Sequence, residues 1–369
     1  MAKGSKLSEV EDLKRSFEMA ADEITVGIDL GDRYSQCCFL GDHGELIAEG
    51  RIRTTPEGFR DHFQRLPRRR IAIEVGGHSR WVSQLLTEWG HEVFVANARM
   101  VPLISSGGRK SDIVDARLLA RLARTDPRLL SPVTHVAHKG YPDMAILRAR
   151  DLLVRTRVRL INAIRGITKS TGVRLPTAGS ANFATKIAPL LPAELIPSLS
   201  PLIDTLRVLS DKIHEYDLAL ENIARTQYPE TLRLRQVYGV GPVTALQFVL
   251  TIGDPHRFRK SRDVGPFLGL VPKRRQSGET EMQLRISKAG NSQLRFLLVQ
   301  CAHYLLGRFG PDSDLRRWGT AIAVRGGKNG KKRAAVAVAR KLSVLLHKLW
   351  VSGEAYDPLR NAVSALNSV

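Results

Sequence analysis

The amino-acid sequence predicts a protein of class α/β plus α, with an α/β domain first and two mainly helical regions after it. Three observations predict this class. Before residue 140, short apolar runs bounded by turn residues alternate with helical patterns, as in a mixed sheet flanked by helices. Between residues 144 and 224, Arg, Leu, Ile and Val recur at helical spacing. Farther on, a Gly-Val-Gly string interrupts a long helical pattern.

The length of 369 residues exceeds that of one ordinary core, so several domains are expected. We predict a leader at 1–22, an α/β domain at 23–140, a helical arm at 141–230, a mainly helical C-terminal domain at 231–350 and a tail at 351–369.

Five strands and three helices account for the α/β domain. Apolar runs with flanking turn residues predict the strands, at 24–30, 34–40, 45–53, 70–75 and 91–96. Helices are predicted at 56–66, where Pro56 suits a first helical position, at 78–89, and from about Ser111 onwards.

The arm contains two long helical patterns, at 144–171 and 202–224, separated by a proline-rich stretch. This order predicts a coiled-coil-like helical hairpin. A plain helical linker and a dimerisation device both fit the pattern.

In the third region, Gly239 and Gly241 lie between two helical runs within 237–252. This predicts a turn like that of a helix-hairpin-helix motif, where backbone N–H groups at a helix N-terminus could hold a phosphate. A simple glycine-rich turn would have the same sequence. A polar, basic stretch at 273–288 and apolar helices at 293–306 and 334–350 follow, with a basic loop predicted at 325–333.

The charge balance points to a polyanionic partner. There are 57 Lys and Arg against 36 Asp and Glu, a net charge of +21. A surface of this charge attracts nucleic acid, because phosphate contacts release condensed counterions. A membrane partner is not expected, since neither a signal segment nor an apolar span is evident. The cysteines Cys37, Cys38 and Cys301 have neither disulfide nor zinc spacing, which predicts a cytoplasmic protein.

Four acidic residues stand out by their positions. Asp29 lies within the first apolar run and Glu74 lies near the end of the fourth, where an isolated carboxylate is costly to bury. Asp112 and Asp115 share one face at the start of a helix. First and fourth strands are commonly neighbours in this strand order, so the four acids could converge. Such hard oxygen ligands suit Mg²⁺ or Mn²⁺.

Each acid also has a structural role that needs no metal. Asp112 and Asp115 could favour the helix dipole, with Ser111 as N-cap, and Asp29 could cap a turn. Asp32 is interpreted as a turn residue. The conjunction of all four positions favours the metal site.

The strings VGIDLGDRYSQCCFLG, IAIEVGG and GGRKSDIVDARLLARL, in this order, resemble the ribonuclease-H-like (RuvC-like) domain of DEDD transposases of insertion sequences, a family of bridge-RNA-guided recombinases. The strings GVGPVTA and FLGLVPKRRQSGETEMQLRISKAGNSQLRFLL resemble the transposase domain of the same family. The resemblance covers nearly the whole chain. It departs from the family pattern in the basic residues before Ser277 and at Gln283 and Leu284.

The resemblance implies a DNA recombinase in which Ser277, followed by Gly278, is the nucleophile. It also implies donor and target DNA, a structured guide RNA, and a homo-oligomer (dimer or tetramer) that could share a composite site between protomers. Candidate phosphate contacts are Arg109, Lys110, Arg274, Arg275, Lys288 and Arg295. A metal-dependent junction nuclease that uses water, and a non-catalytic nucleic-acid-binding protein, are the alternative functions.

Overall fold

The computed structural model describes residues 24–97, 112–133, 135, 140–277 and 280–361. The predicted leader, and the candidate residues Arg109, Lys110 and Gly278, lie outside the described residues. The chain divides into two compact units, Met1–His135 and Val136–Val369. The predicted arm and the predicted C-terminal domain therefore lie in the same unit.

The first unit is built on a five-stranded mixed sheet. The strand order is β3-β2-β1-β4-β5, with β1 antiparallel to β2 and parallel to β4. All five predicted strands are confirmed within two residues at each end. They are β1 (Thr25–Asp29), β2 (Tyr34–Leu40), β3 (Leu46–Arg53), β4 (Arg70–Glu74) and β5 (Glu92–Ala96).

Helices cover both faces of this sheet. One face buries Val26 and Ile28 with Phe59 and Phe63, while Cys38 packs with Ala116 and Ala120 on the other. Cys37 belongs to the first cluster, so the two neighbouring cysteines do face opposite sides, as the strand pattern predicts. The helices are α1 (Pro56–Phe63), α2 (Ser79–Glu88) and α3 (Asp112–Thr125).

The second unit begins with an antiparallel pair of long helices, α4 (Tyr141–Ser170) and α6 (Ile196–Gln227), with the short α5 (Phe183–Ile187) between them. Met144 and Leu147 near the start of α4 pack on Leu220 and Ala224 near the end of α6. Arg150 pairs with Asp217 at 2.8 Å. The predicted helical hairpin is thus confirmed, although α6 starts at Ile196, ahead of the predicted 202.

The rest of the second unit is a helical core with one β-hairpin. The helices are α7 (Glu230–Leu234), α8 (Pro242–Ile252), α9 (Val264–Phe267), α10 (Ser292–Leu306), α11 (Asp314–Arg325) and α12 (Gly330–Ser352). The hairpin strands, β6 (Pro272–Ser277) and β7 (Thr280–Ile286), form a separate two-stranded sheet.

One prediction for this region is wrong. The basic run predicted as a loop at 325–333 ends inside α12, because Lys331 and Arg333 are already helical. Within the segment predicted as a tail from 351, Tyr356 packs edge-on against Tyr238, and its backbone N–H donates to Gln236 Oε1 at 2.9 Å. None of the described helices combines the length and apolar character needed to cross a membrane.

Candidate functional site

Two of the predicted acids end neighbouring parallel strands. The register of β1 and β4 pairs Thr25 with Arg70 and continues to Ile28 with Ile73. The next residues on the two strands are Asp29 and Glu74. Both carboxylates therefore lie at the same edge of the sheet and at the same level along the strands. Both residues are half-buried.

Gly27 allows helix α3 to lie directly on β1. A Cβ atom at Gly27 would lie 2.0 Å from the carbonyl oxygen of Ala116 and 2.4 Å from the amide nitrogen of Ala120. Only glycine fits at this distance. Since side chains alternate along a strand, Asp29 faces the same side of the sheet as Gly27, which is the side of α3.

The direction of α3 brings its first turn to the acidic edge. At the C-terminal end of α3, Arg124 donates from its guanidinium to the Asp42 carbonyl at 2.9 Å, in the turn after β2 and beside the start of β1. The N-terminal end of α3 therefore points towards the end of β1. From Gly27 to Asp29 the strand advances about 6.6 Å, which corresponds to about four helical residues. Four residues before the contact at Ala116–Ala120 lies the first turn of α3, which contains Asp112 and Asp115.

The four predicted acids thus share one edge of the first unit, but their side chains are not gathered around a common point. Asp112 is exposed and Asp115 is half-buried. Among the described residues, no group of three or more His, Cys, Asp or Glu side chains is close enough to hold a metal ion. The donor chemistry nevertheless fits Mg²⁺ or Mn²⁺, because all four ligands would be carboxylate oxygens on regular elements.

The turns beyond this edge contain groups that were not predicted from the sequence. His78 Nε2 lies 3.7 Å from Asp32 Oδ1, joining the turn after β4 to the turn after β1. His78 Nδ1 accepts a hydrogen bond from the Trp81 indole at 3.1 Å, so a neutral His78 carries its proton on Nε2, towards Asp32. The Gly-Gly-His string at 76–78, one residue beyond Glu74, was the available signal.

The turn after Glu74 is held by a buried serine. Ser79 Oγ accepts from the Gly76 amide at 3.0 Å and donates to the Gly76 carbonyl at 2.9 Å. His135 Nε2 contacts the same oxygen at 3.1 Å. Burial lowers the pKa of His135, and the nearby positive charge of Arg80 lowers it further. A neutral His135 can therefore donate to Ser79 and fix this turn.

The predicted nucleophile lies in the second unit, at the end of β6. Ser277 pairs with Thr280, and Arg275 pairs with Met282, in the antiparallel register of the hairpin. Arg274 pairs with Gln283, so both predicted basic positions lie within the hairpin. The strands themselves were not predicted, because this stretch is polar and basic.

The base of the hairpin is fixed by close backbone contacts. Gly269 and Gly290 both adopt positive φ, and a Cβ at Gly269 would lie 2.2 Å from the Ala289 amide nitrogen. Lys288, also at positive φ (56°), is exposed, and its N–H donates to the Gly269 carbonyl at 3.1 Å. Arg295 donates from one guanidinium nitrogen to the carbonyls of Leu268 and Ala289 at 2.9 and 2.6 Å. Arg295 therefore stabilises this junction, whereas Lys288 is accessible to a phosphate.

The two glycines before α8 have separate roles. Gly239 adopts φ +81° beside Tyr304, where a Cβ would lie 2.8 Å from the ring. Gly241 is the N-cap residue of α8, with open space where its Cβ would be. This geometry fits the predicted tight turn before a helix, and the phosphate contact stays a prediction.

Comparison with known proteins gives matches to both units. A DEDD-type IS110 family model described as "Transposase" matches residues 26–172, which include all four acids. A second model, described as "Transposase IS116/IS110/IS902 family", matches residues 232–316, which include Ser277.

Full-length relatives agree with these two matches. The chain is 29% identical over 341 residues to the transposase for insertion sequence element IS1111A of Coxiella burnetii, covering 90% of each chain. It is 27% identical to a probable family 20 transposase of Pseudomonas aeruginosa and 27% identical to the transposase for insertion sequence element IS1328 of Yersinia enterocolitica. These two matches each cover 90% of this chain and 98% of the relative.

Proposed function

Because the chain belongs to the DEDD-type insertion-sequence transposases, we propose that it cuts and rejoins DNA through a serine nucleophile and a carboxylate-bound divalent metal. The observation that carries the proposal is the shared edge at which β1, β4 and α3 present four acids. The sheet order, with one antiparallel and one parallel neighbour beside β1, supports a ribonuclease-H-like fold for the first unit.

In this proposal Asp29 and Glu74 hold Mg²⁺ or Mn²⁺ from the sheet, and Asp112 and Asp115 complete the site from α3. Bound divalent metal supplies charge neutralisation for the phosphate oxygens. The close backbone contact at Gly27 sets the position of α3 along β1, and with it the level of Asp112 and Asp115.

Ser277 supplies the covalent step. Its hydroxyl gives up a proton and its Oγ forms a bond to the phosphorus, while the bond from phosphorus to the leaving strand oxygen breaks and that oxygen takes a proton. The phosphoserine bond retains the energy of the cleaved linkage. A hydroxyl of another strand can then attack the same phosphorus and release Ser277.

The partners follow from the same proposal. Ser277 and the acids lie in different compact units, and the family resemblance implies a homo-oligomer, a dimer or a tetramer. Donor and target DNA are the substrates, and the net charge of +21 supports an additional guide RNA, as the family resemblance implies. Arg109, Lys110, Arg274, Arg275 and Lys288 are proposed phosphate contacts.

The test of this proposal is the covalent intermediate. Purified protein is incubated with DNA from the ends of its insertion element, with the RNA encoded beside it and Mg²⁺, then denatured and analysed for protein–DNA adducts. Ser277→Ala should eliminate the adduct, while Ser287→Ala, a neighbouring serine at the hairpin base, should retain it. Cleaved DNA without an adduct would identify the water-dependent nuclease instead. Binding without cleavage in any divalent metal would identify a non-catalytic protein.

A further inference from the structure

The hairpin that ends in Ser277 has an apolar face that nothing in the described part of the second unit accounts for. Met282 and Leu284 are 53% and 46% exposed, two residues apart on β7. Side chains two residues apart on a strand share a face. The sheet has only two strands, so neither residue contributes to a sheet core.

The strand register places these apolar residues close to the predicted nucleophile along the hairpin. Ser277 pairs with Thr280 and Arg275 pairs with Met282, without a bulge between them. Met282 therefore lies two residues along β7 from the register partner of Ser277, and Leu284 lies two residues farther, beside the register shift between Pro272 and Arg274. A partner that contacts Met282 therefore also reaches the end of β6, where Ser277 lies.

The charge of the same segment selects the occupant. Residues 272–288 contain five basic residues (Lys273, Arg274, Arg275, Arg285 and Lys288) against two acidic ones, Glu279 and Glu281. Lys273, Arg285 and Lys288 are exposed. A ribbon of two strands also has dimensions that a DNA groove accepts.

We infer that the hairpin docks on duplex DNA as a wedge, with Met282 and Leu284 against the bases beside the phosphate that Ser277 attacks. Apolar side chains of this kind insert between base steps and unstack them. Unstacking would open the backbone at the point where Ser277 must approach in line. This inference rests on the proposed function, because it takes DNA as the substrate of the hairpin.

The experiment compares the affinity of the full-length protein for two DNA probes, a short fully paired duplex and the same duplex with a small unpaired bubble. The wild type should bind the bubble more tightly, by about tenfold, because the bubble has already met the cost of unstacking. Met282→Ser combined with Leu284→Ser should remove that preference, so that the ratio of the two affinities falls to about one. Equal preference in the wild type and in this double variant overturns the inference.

Two further double variants test whether the preference for the bubble comes from the wedge, from exposed apolar surface in general, or from charge. Leu190→Ser with Ile196→Ser removes a similarly exposed apolar pair (49% and 46%) elsewhere in the second unit and should retain the preference. Lys273→Gln with Arg285→Gln should reduce the salt dependence of binding by about two counterions and leave the preference unchanged. Loss of the preference in the Leu190 and Ile196 variant would contradict the wedge.

Sedimentation of the Met282 and Leu284 double variant gives the remaining control. A change of its oligomeric state would show that a second copy of the chain covers the apolar face, which overturns the inference. Ser277→Ala should keep the bubble preference while losing the adduct, so failure of the wedge and failure of the nucleophile are distinguishable.

Discussion

Asp29 and Glu74 end strands that lie inside a five-stranded sheet, whereas Ser277 ends a strand with a single neighbour. Helix α3 packs on the sheet next to the acidic edge, and its backbone contacts β1 at Gly27. The hairpin is anchored at its base, through Gly269, Gly290 and Arg295. The two halves of the proposed chemistry therefore have different mechanical requirements. Metal ligands need fixed relative positions, and a nucleophile needs reach towards a phosphate.

The comparison of the two regions predicts its largest effect at the acidic edge. Glu74→Gln keeps the side-chain volume and removes the negative charge, so it should abolish strand exchange and leave RNA binding largely intact. We expect a loss of more than about 100-fold, because even residues behind a metal ligand contribute about 10–100-fold. The assay is recombination between plasmids that contain the element and its target. Glu88→Gln, an exposed residue at the end of α2, is the control. Recombination that survives Glu74→Gln contradicts the metal assignment.

The contact behind the acidic edge is tested by Gly27→Ala. The new methyl group would meet the Ala116 carbonyl at 2.0 Å, so α3 must move away from β1. We expect the free energy of unfolding to fall by about 1–3 kcal/mol and strand exchange to fall with it. Urea unfolding measures the stability.

A matched control for Gly27→Ala is available in the same unit. At Gly77 a Cβ would meet no atom within 4 Å, so Gly77→Ala should leave the free energy of unfolding nearly unchanged. Equal effects of the two substitutions would mean that α3 does not depend on close contact with β1.

The anchor of the hairpin is tested by Gly269→Ala. This position combines φ +66° with a 2.2 Å approach to the Ala289 amide nitrogen. Gly172→Ala has a similar backbone (φ +83°) and no neighbour within 4 Å, so it measures the conformational cost alone. Gly269→Ala should be less stable than Gly172→Ala by about 1–3 kcal/mol and should form the serine adduct more slowly. An adduct rate equal to that of the wild type would show that the hairpin acts independently of its base.

The smallest expected effect is a pH dependence confined to the first unit. His91 is buried, with Nδ1 accepting from the Arg69 amide at 3.2 Å and Nε2 against the Phe63 carbonyl at 3.0 Å. Burial lowers the pKa of His91, and the charge of Arg69 lowers it further. A pKa below the unfolded value of about 6.5 means that the unfolded chain binds more protons. The stabilisation from a neutral His91 is therefore present above that value and is lost as the pH falls below it.

His91→Gln should weaken this dependence. The measurement is the difference between urea midpoints at about pH 7.5 and about pH 5.5, compared for the wild type and the variant. An unchanged difference would assign the pH dependence to another group.

The elements that could be predicted from the sequence are those whose burial produces an apolar pattern over a few consecutive residues. The strands β1, β2 and β4 are apolar runs next to turn residues, and the long α4 has helical spacing throughout. Asp29 and Glu74 could be singled out for the same reason, since a carboxylate at the end of a buried run is conspicuous.

What the sequence did not predict depends on contacts between distant residues. Strand β6 has no apolar residue after Pro272, so no alternation marks it, and the alternation of Met282, Leu284 and Ile286 with polar residues in β7 is short and lies within a basic stretch. Gly330 reads as a loop residue, yet it is the first residue of α12, and it packs so closely on α11 that a Cβ there would lie 2.2 Å from the Ala323 carbonyl oxygen. Pro201 reads as a helix boundary, yet it lies inside α6, where Leu199 and Ile203 pack in the arm core.

The central claim is that acids from β1, β4 and α3 meet around divalent metal. Crystals of the protein grown with Mn²⁺ and measured at the manganese absorption edge test it directly. We expect anomalous density for a manganese ion bound by carboxylate oxygens of Asp29 and Glu74 and of at least one of Asp112 and Asp115. Manganese bound elsewhere, with the Asp29 and Glu74 carboxylates lacking any ion in a catalytically active preparation, would contradict the claim.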